Sequence, residues 1–563
     1  MTLRLLVIMA GLVLLIQGCS RIAPANSISG IVLDEEENPV PGAVIRVKGT
    51  DRTTTADSQG EFTLDGISPD TPVMITAWSS GYFNGGGDVA VRTGERELEI
   101  TLIKHSEADN PDYEWVSAFL EPAVKGSQCE NCHSRAVDSN DPKDVNLPFH
   151  EWIQDAHSRS TQNERFISMY LGQDVKGNQS QPTRYGYNRD YGRFPLRPDT
   201  SHAYFGPGYK LDFQDTSGNC AACHAPAASV NLPYETDPTR LTGTGTEGVT
   251  CDFCHKIWDV HLDPGSGLPM ANMPGVLSYE FRRPPEGHQF FAGPYDDVAP
   301  FEDTYSPIQR ESQFCAPCHF GVFWDTQIYN SFGEWLASPY SDAETGKTCQ
   351  DCHMPPGKVD HFACYSEGAI QRDPMTIFSH RMPGASDPTL LQNAVKLDVT
   401  ARIEAEHVVV EVTVTNDQTG HHVPTDSPLR EMILLVEGRD GSGNHLILVE
   451  GGTIPYWGGV GDPMQGYYAG LPGKIFSKVL NELWTEVTPT GAYWNPTQIV
   501  SDNRLAALTL DVSRYTFDLP SDGRGSVQAS LFLRRAFKEL MVQKGWDVDD
   551  ILMEREEVYL AVP

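Results

Sequence analysis

Gly248-Val249-Thr250-Cys251-Asp252-Phe253-Cys254-His255-Lys256-Ile257 contains the pattern Cys-x-x-Cys-His, and the same five-residue pattern begins again at Cys129, Cys220, Cys315 and Cys349. In each copy two thiols lie about one helical turn apart, placed to form thioethers with the vinyl groups of a porphyrin, and the next residue offers an imidazole to the iron. Composition alone gives roughly 0.01 such pentapeptides in a chain of this length. A zinc site or a disulfide would account for one copy. Zinc, however, needs a second thiol pair at finger spacing and has no use for a histidine that always follows the second cysteine. Five uniform copies therefore predict five covalently bound haem c groups. Their thioether residues are Cys129 and Cys132, Cys220 and Cys223, Cys251 and Cys254, Cys315 and Cys318, and Cys349 and Cys352. The proximal iron ligands are His133, His224, His255, His319 and His353.

The N-terminus predicts the compartment. Arg4 precedes an apolar run from Leu5 to Ile16, which is of signal-peptide length and too short to span a bilayer stably. Leu15-Ile16-Gln17-Gly18-Cys19 resembles a bacterial lipobox. The expectation is a lipoprotein signal peptide over residues 1–18, with Cys19 lipidated and the protein anchored to a membrane surface without spanning it. Ser20 after the cysteine resembles the pattern of lipoproteins sent to the outer membrane, on its periplasmic or cell-surface face. The formal charge is −34, and removal of Arg4 with the leader makes it one more negative. Such a balance argues against nucleic acid as a partner and favours redox proteins with basic docking faces, other cytochromes above all.

At 563 residues the chain is long enough for three or four domains. Residues 26–104 read as short strands separated by Gly, Pro, Asn and Asp: Ile28 to Val32, Ala43 to Val47, Glu61 to Leu64, Met74 to Ala77 and Leu98 to Leu102. The wording Gly30-Ile31-Val32, Pro39-Val40-Pro41-Gly42-Ala43, Asp57-Ser58-Gln59-Gly60-Glu61-Phe62 and Ser80-Gly81-Tyr82 resembles the carboxypeptidase regulatory-like domain, which implies a small seven-stranded sandwich and no peptidase activity. Residues 105–394 hold all five motifs and are predicted as a mainly irregular and α-helical multihaem core, its clearest helix running from Phe149 to Leu171. Residues 395–563 return to alternation, at Val395 to Ile403, Val408 to Val414, Met432 to Val436, Leu505 to Val512 and Val527 to Leu533. They predict a C-terminal β-sandwich closed by a short helix from Phe537 to Lys544. Cys364 is expected to be a buried, small apolar side chain.

The 17 histidines exceed what the motifs use, so every iron could be bis-histidine ligated. His157, beside Trp152, Ile153 and Ala156, and His380, between the last motif and the sandwich, are the first choices as distal ligands. His421, in a His-His pair that has no packing purpose, His361 and His288 come next. His150, His202 and His261 rank below them, and His105, His407 and His445 are expected at the solvent. Motif spacing predicts two close haem pairs, second with third and fourth with fifth, and one leading haem.

Gly218-Asn219-Cys220-Ala221-Ala222-Cys223-His224-Ala225-Pro226, the stretch around Cys251, Phe314-Cys315-Ala316-Pro317-Cys318-His319 and Cys349-Gln350-Asp351-Cys352-His353-Met354-Pro355 resemble multihaem c-type cytochromes related to the tetrahaem carrier of ammonia oxidisers. Hydroxylamine oxidoreductase and the pentahaem nitrite reductases share that broader lineage. The resemblance implies stacked and perpendicular haem pairs. It also matches His157 and His380, and more loosely His421, to distal positions. One departure bears on activity: ammonia-forming nitrite reductases usually carry lysine in place of one motif histidine, and here every motif ends in His. Electron transfer is the leading expectation. A multihaem oxidoreductase acting on a small nitrogen or sulfur species at one five-coordinate haem is the second, with Arg282 and Tyr295 as unranked candidates beside an open iron. A scaffold docking into a larger complex is the third.

Overall fold

The computed structural model describes residues 26–119, 128–134, 146–190, 192–364, 369–521 and 523–561. The leader and Cys19 lie outside the described residues. The chain divides into two compact units, one running to His105 and including Asp296–Tyr305, the other Ser106–Tyr295 with Ser306–Pro563. Among the described residues no helix is long and apolar enough to cross a membrane.

The N-terminal unit has seven strands: β1 Ile28–Asp34, β2 Val44–Val47, β3 Thr53–Thr55, β4 Glu61–Leu64, β5 Val73–Trp78, β6 Gly85–Val91 and β7 Leu98–Leu102. They form sheets in the orders β4-β1-β7 and β3-β2-β5-β6. Ile28, Val32, Ile45, Phe62, Leu64, Ile75, Ile100 and Leu102 fill the core. Five of these strands fall on the stretches where short strands are expected. The other two do not: β3 is three threonines, and β6 opens on glycines, of which Gly86 and Gly87 sit at φ 73° and 77°. Asp296–Tyr305, far along the chain, completes this unit. Arg46 grips Asp296 through Nε (2.6 Å) and Nη2 (2.9 Å), Gly49 N donates to Asp297 (2.7 Å), and Trp78 Nε1 donates to Thr304 Oγ1 (3.1 Å).

In the second unit, the motif-bearing region is irregular as expected, but its α-helical share is small. The longest helix there is Glu164–Leu171, and the rest is single turns and two-stranded hairpins. The helix expected over Phe149 to Leu171 breaks into Pro148–Trp152, a 3-10 turn His157–Arg159 and Glu164–Leu171. Two side chains cause the breaks. Asp155 Oδ1 takes the backbone N–H of His157 (2.8 Å), and Asn163 caps the last helix by accepting from Arg165 N (3.0 Å) and Phe166 N (3.2 Å).

Beyond residue 394 two antiparallel sheets face one another. The first runs Lys396–Glu404, His407–Thr415, Leu510–Asp518, Leu448–Gly451 in spatial order. The second runs Thr497–Asp502, Gly473–Glu482, Glu431–Asp440, Arg524–Arg534, Ile551–Ala561. Val408, Val410, Val412 and Val414 alternate inward from the first sheet and meet Met432, Leu434, Val436, Phe476, Leu531 and Leu533 from the second. Each such side chain contributes about 1.5–3 kcal/mol on burial. Strands Gly473–Glu482 and Ile551–Ala561 escape the sequence pattern because one bears its apolar residues in adjacent pairs and the other carries Glu554, Arg555, Glu556 and Glu557 in a row. The expected strand at Leu505 starts at Leu510. The closing helix is Lys538–Lys544, with Phe537 at its N-cap.

One buried acid gives this sandwich a pH dependence. Glu431 pairs in register with Arg534, whose guanidinium is already held bidentately by Asp550 (2.9 and 2.7 Å) and lies 3.6 Å from Glu431. Burial outweighs the nearby Arg534 charge and pushes the Glu431 carboxyl up to about 8. A carboxyl raised in the fold binds more protons there than in the unfolded chain, so its contribution is complete at acid pH and is lost as pH rises through that value. Urea unfolding at about pH 5 and about pH 8 should show Glu431→Gln gaining stability over the parent at the higher pH. A difference that does not change with pH would contradict this assignment.

Candidate functional site

Four of the five motifs fold as a single helical turn: Cys129–His133, Ala221–His224, Cys251–Cys254 and Cys349–His353. The fourth follows the 3-10 turn Ser312–Cys315. Local caps hold these turns. Thr250 Oγ1 accepts from Phe253 N (3.1 Å), and Thr348 and Asp351 cap one another reciprocally. All ten motif cysteines are half-buried residues, whereas Cys364 is buried.

The motif imidazoles are fixed from behind. Nδ1–H donates to a backbone carbonyl in three cases, His133 to Phe362, His255 to Ala292 and His353 to Pro383, each at 2.7 Å. His319 Nδ1 instead meets the Asp426 carboxylate at 2.9 Å. His224 is held by Phe166, stacked on it at 3.8 Å and 6°. Committing Nδ1 to an acceptor fixes the tautomer and turns Nε2 outward as the lone pair for a metal. Burial lowers the pKa of His133, His255 and His353 and takes His224 to about 4, so these rings are neutral, as a ligand must be. At His319 burial is outweighed by Asp426, which lifts the ring to about 9, so this imidazole releases a proton from Nε2 when it takes a metal. The carboxylate, against its own burial, is held well below its usual range by His319 and Arg430.

Two further histidines face motif histidines. The His157 ring lies 6.4 Å from that of His319 at 65°, and the His421 ring 6.3 Å from that of His353 at 16°. Two imidazoles on opposite sides of one metal, each bonded at about 2 Å, have centres about 6 Å apart. Their Nδ1 atoms are also engaged, His157 with Asp155 (2.6 Å) and His421 with the His422 carbonyl (2.9 Å). His157 lies close enough to His224 to bias it against protonation as well. His380 is half-buried near His255 and His133, its backbone N–H bonded to Glu151 Oε2 at 2.8 Å. His361 is fully buried, with Nδ1 on Asp360 at 2.8 Å. His288, ranked as a ligand from sequence, is exposed, and its backbone N–H bonds to the Pro285 carbonyl. His202 and His261 are exposed too. His105 corrects an expectation in the other direction: it is buried, 5.6 Å from the Phe83 ring. Of the two candidates for an open iron, Arg282 covers Trp258 (5.0 Å), and Tyr295 stacks on Phe362 (5.5 Å) and donates to the Thr376 carbonyl (2.8 Å).

Thiol contacts show which motifs are neighbours. Cys129 meets Cys251, Cys223 meets Cys318 and Cys315 meets Cys349; Cys254 is also close to Cys318. The first motif therefore touches the third, the second touches the fourth, and the fourth touches the fifth. Spacing along the chain foretells only the last of these contacts. Tyr279 fills the junction of the third and fourth motifs, its hydroxyl 3.9 Å from Cys318 Sγ and donating to the Phe314 carbonyl at 2.8 Å.

Sequence reasoning missed the residues that hold the histidine turn. Glu334 Oε2 accepts from Thr425 Oγ1 (2.5 Å) and His422 N (3.2 Å), while its Oε1 accepts from Arg504 Nη1 (2.7 Å). One buried carboxylate thus fixes the segment that bears both His421 and Asp426. Nothing in the sequence marks Glu334 as different from any acid in a short helix. Among the described residues no group of three or more His, Cys, Asp or Glu stands ready for a bare metal ion. The arrangement present is that of imidazoles in opposed pairs beside thiols, which suits iron already held in a porphyrin.

Comparison with known proteins bears on both units. Residues 27–102 match the carboxypeptidase regulatory-like domain family. No curated protein matches the sequence. Among solved structures, a cohesin, X-module and dockerin complex from Acetivibrio cellulolyticus overlaps 14% of this chain and 58% of its own at 17% identity and TM-score 0.13, too little to inform the fold. A penta-heme cytochrome c552 from Thermochromatium tepidum is similar to 77% of this chain over 97% of its own length, at 18% identity and TM-score 0.50. The chain therefore joins a carboxypeptidase regulatory-like domain to a fold shared with a penta-heme cytochrome c.

Proposed function

We propose that this chain is a pentahaem c-type cytochrome that relays electrons outside the cytoplasm, tethered at Cys19 to the outer membrane. The observation that carries the reading is the fixing of motif histidines by Nδ1 acceptors, with His157 and His421 opposed to two of them at metal-spanning distance. The fold shared with a penta-heme cytochrome supports it. Haem c, when bound, supplies at each motif an iron that takes up and gives back one electron. The chain's own residues do the rest. Ten thiols anchor the porphyrins, the acceptors orient the imidazoles, and His157, His380, His421, His361 and His288 are the five histidines proposed for the far sides. Thiol contacts between motifs bring the groups close enough for transfer along the order first, third, fourth, fifth, with the second branching at the fourth. Kinship with tetrahaem carriers and hydroxylamine oxidoreductase is part of this proposal, carried by the motif stretches alone. Redox proteins, other cytochromes above all, are the proposed partners, with the membrane touched only through the lipid.

The relay reading requires that no iron be open. The purified protein should give low-spin ferric spectra for all its haems, unchanged by nitrite, cyanide or carbon monoxide. A high-spin fraction near one fifth that responds to these ligands would replace the relay by an oxidoreductase. Asp426 tests the tuning of one site. A carboxylate acceptor makes its imidazole a stronger donor and favours the ferric state. Asp426→Asn should therefore raise the midpoint potential of a single haem and leave the others in place. Equal shifts of all the haems, or none, would count against His319 as an iron ligand.

A further inference from the structure

Three half-buried arginines converge in the second unit, and among the described residues no acid is set to balance all three. Arg165 opens the helix whose Phe166 stacks on His224, and its guanidinium lies over the Trp546 ring at 5.4 Å. Arg430 and Arg535 stand one step beyond the last paired residues, Glu431 and Arg534, of two antiparallel neighbours, so they face one another across the sheet end. Met169, Leu429, Ala492, Ala536 and Trp546, drawn from the same segments, share one apolar cluster and bring these segments together. Tyr493 packs against that cluster with its ring 5.6 Å from that of Tyr329. The two rings meet edge to face at 80°, and both lie near Cys220 of the second motif.

This cluster is under electrostatic tension. Arg430 spends Nη1 on the Thr425 carbonyl (2.9 Å) and is partly balanced by Asp426. Among the described residues no carboxylate pairs with Arg165 or Arg535, and Arg165 Nη2 is buried without any hydrogen-bond partner. Burial and the charges of Arg535 and Arg430 depress Arg165 to about 10. Buried cations that repel one another are costly unless an anion joins them. The chain as a whole, at −34, has acids in excess.

We propose that Arg165, Arg430 and Arg535, with the Tyr329 and Tyr493 hydroxyls, form a half-buried site for a carboxylate-like oxyanion beside the second motif. Guanidinium groups grip such an anion bidentately, and a phenol adds a directed donor. The same chemistry has two sources, a propionate of a covalently bound haem, which rests on the cytochrome reading, or a small free monoanion, which does not.

The test uses haem-loaded protein carrying Arg165→Gln or Arg535→Gln, with haem content per chain measured first and formate as the free probe. If a propionate occupies the site, each variant lowers the midpoint of one haem by about tenfold in its one-electron equilibrium, about 59 mV, and formate changes nothing. If a free anion occupies it, formate perturbs the parent spectrum saturably, and either variant weakens that binding at least tenfold. Arg165→Lys, which keeps the charge and loses the fork, gives the same result at reduced size should a Gln variant lose haem. Variants with full haem content, unshifted potentials and a parent that ignores formate would overturn the site. A chain that holds no haem yet binds formate through these arginines would uphold the site and refute the cytochrome.

Discussion

The hydrogen bond behind each imidazole is the constraint on which the rest of the second unit depends. A histidine beside two cysteines can point either ring nitrogen anywhere until Nδ1 is committed. Phe362, Ala292, Pro383 and Asp426 commit four of the five, and they come from stretches far from the motifs they serve. The irregular backbone of this region follows from that requirement. Its carbonyls must stand at particular imidazoles, and a long helix would spend them on itself.

Three of the four acceptors are neutral carbonyls and one is a carboxylate, which makes the His319 site electronically distinct. The segment that delivers Asp426 also delivers His421, and Glu334 with Arg504 pins it. The C-terminal sandwich is thus more than a neighbour of the motif region. Its turn supplies one histidine opposite His353, and the carboxylate behind His319 comes from the same loop. The sheet ends beside that loop supply Arg430 and Arg535.

Much of this was legible in the residues alone. The five motifs needed only their spacing, and the inward valines of His407–Thr415 announced their strand by strict alternation. His157 and His421, singled out by context, one among apolar neighbours near a helix and one in a His-His turn, are two that lie across from motif histidines. What stayed hidden is non-local or unpatterned. The acceptor carbonyls belong to Phe362, Ala292 and Pro383, whose identities say nothing of where their backbone oxygens point. The threonines of β3 and the glycines of β6 pair through main chain and leave no side-chain rhythm. Spacing along the chain did not announce the approach of Cys129 to Cys251, which is set by how the turns pack and not by how many residues separate them.

The central claim is that five Cys-x-x-Cys-His turns are built to receive covalent haem. Intact-mass measurement of the full chain, produced with and without a cytochrome c maturation system, tests it most directly. The account predicts five haem additions in the first case, each lost singly when one motif's cysteines are replaced by alanine, and none in the second. A mature protein carrying no covalent haem, or one whose additions survive loss of the motif thiols, would contradict it.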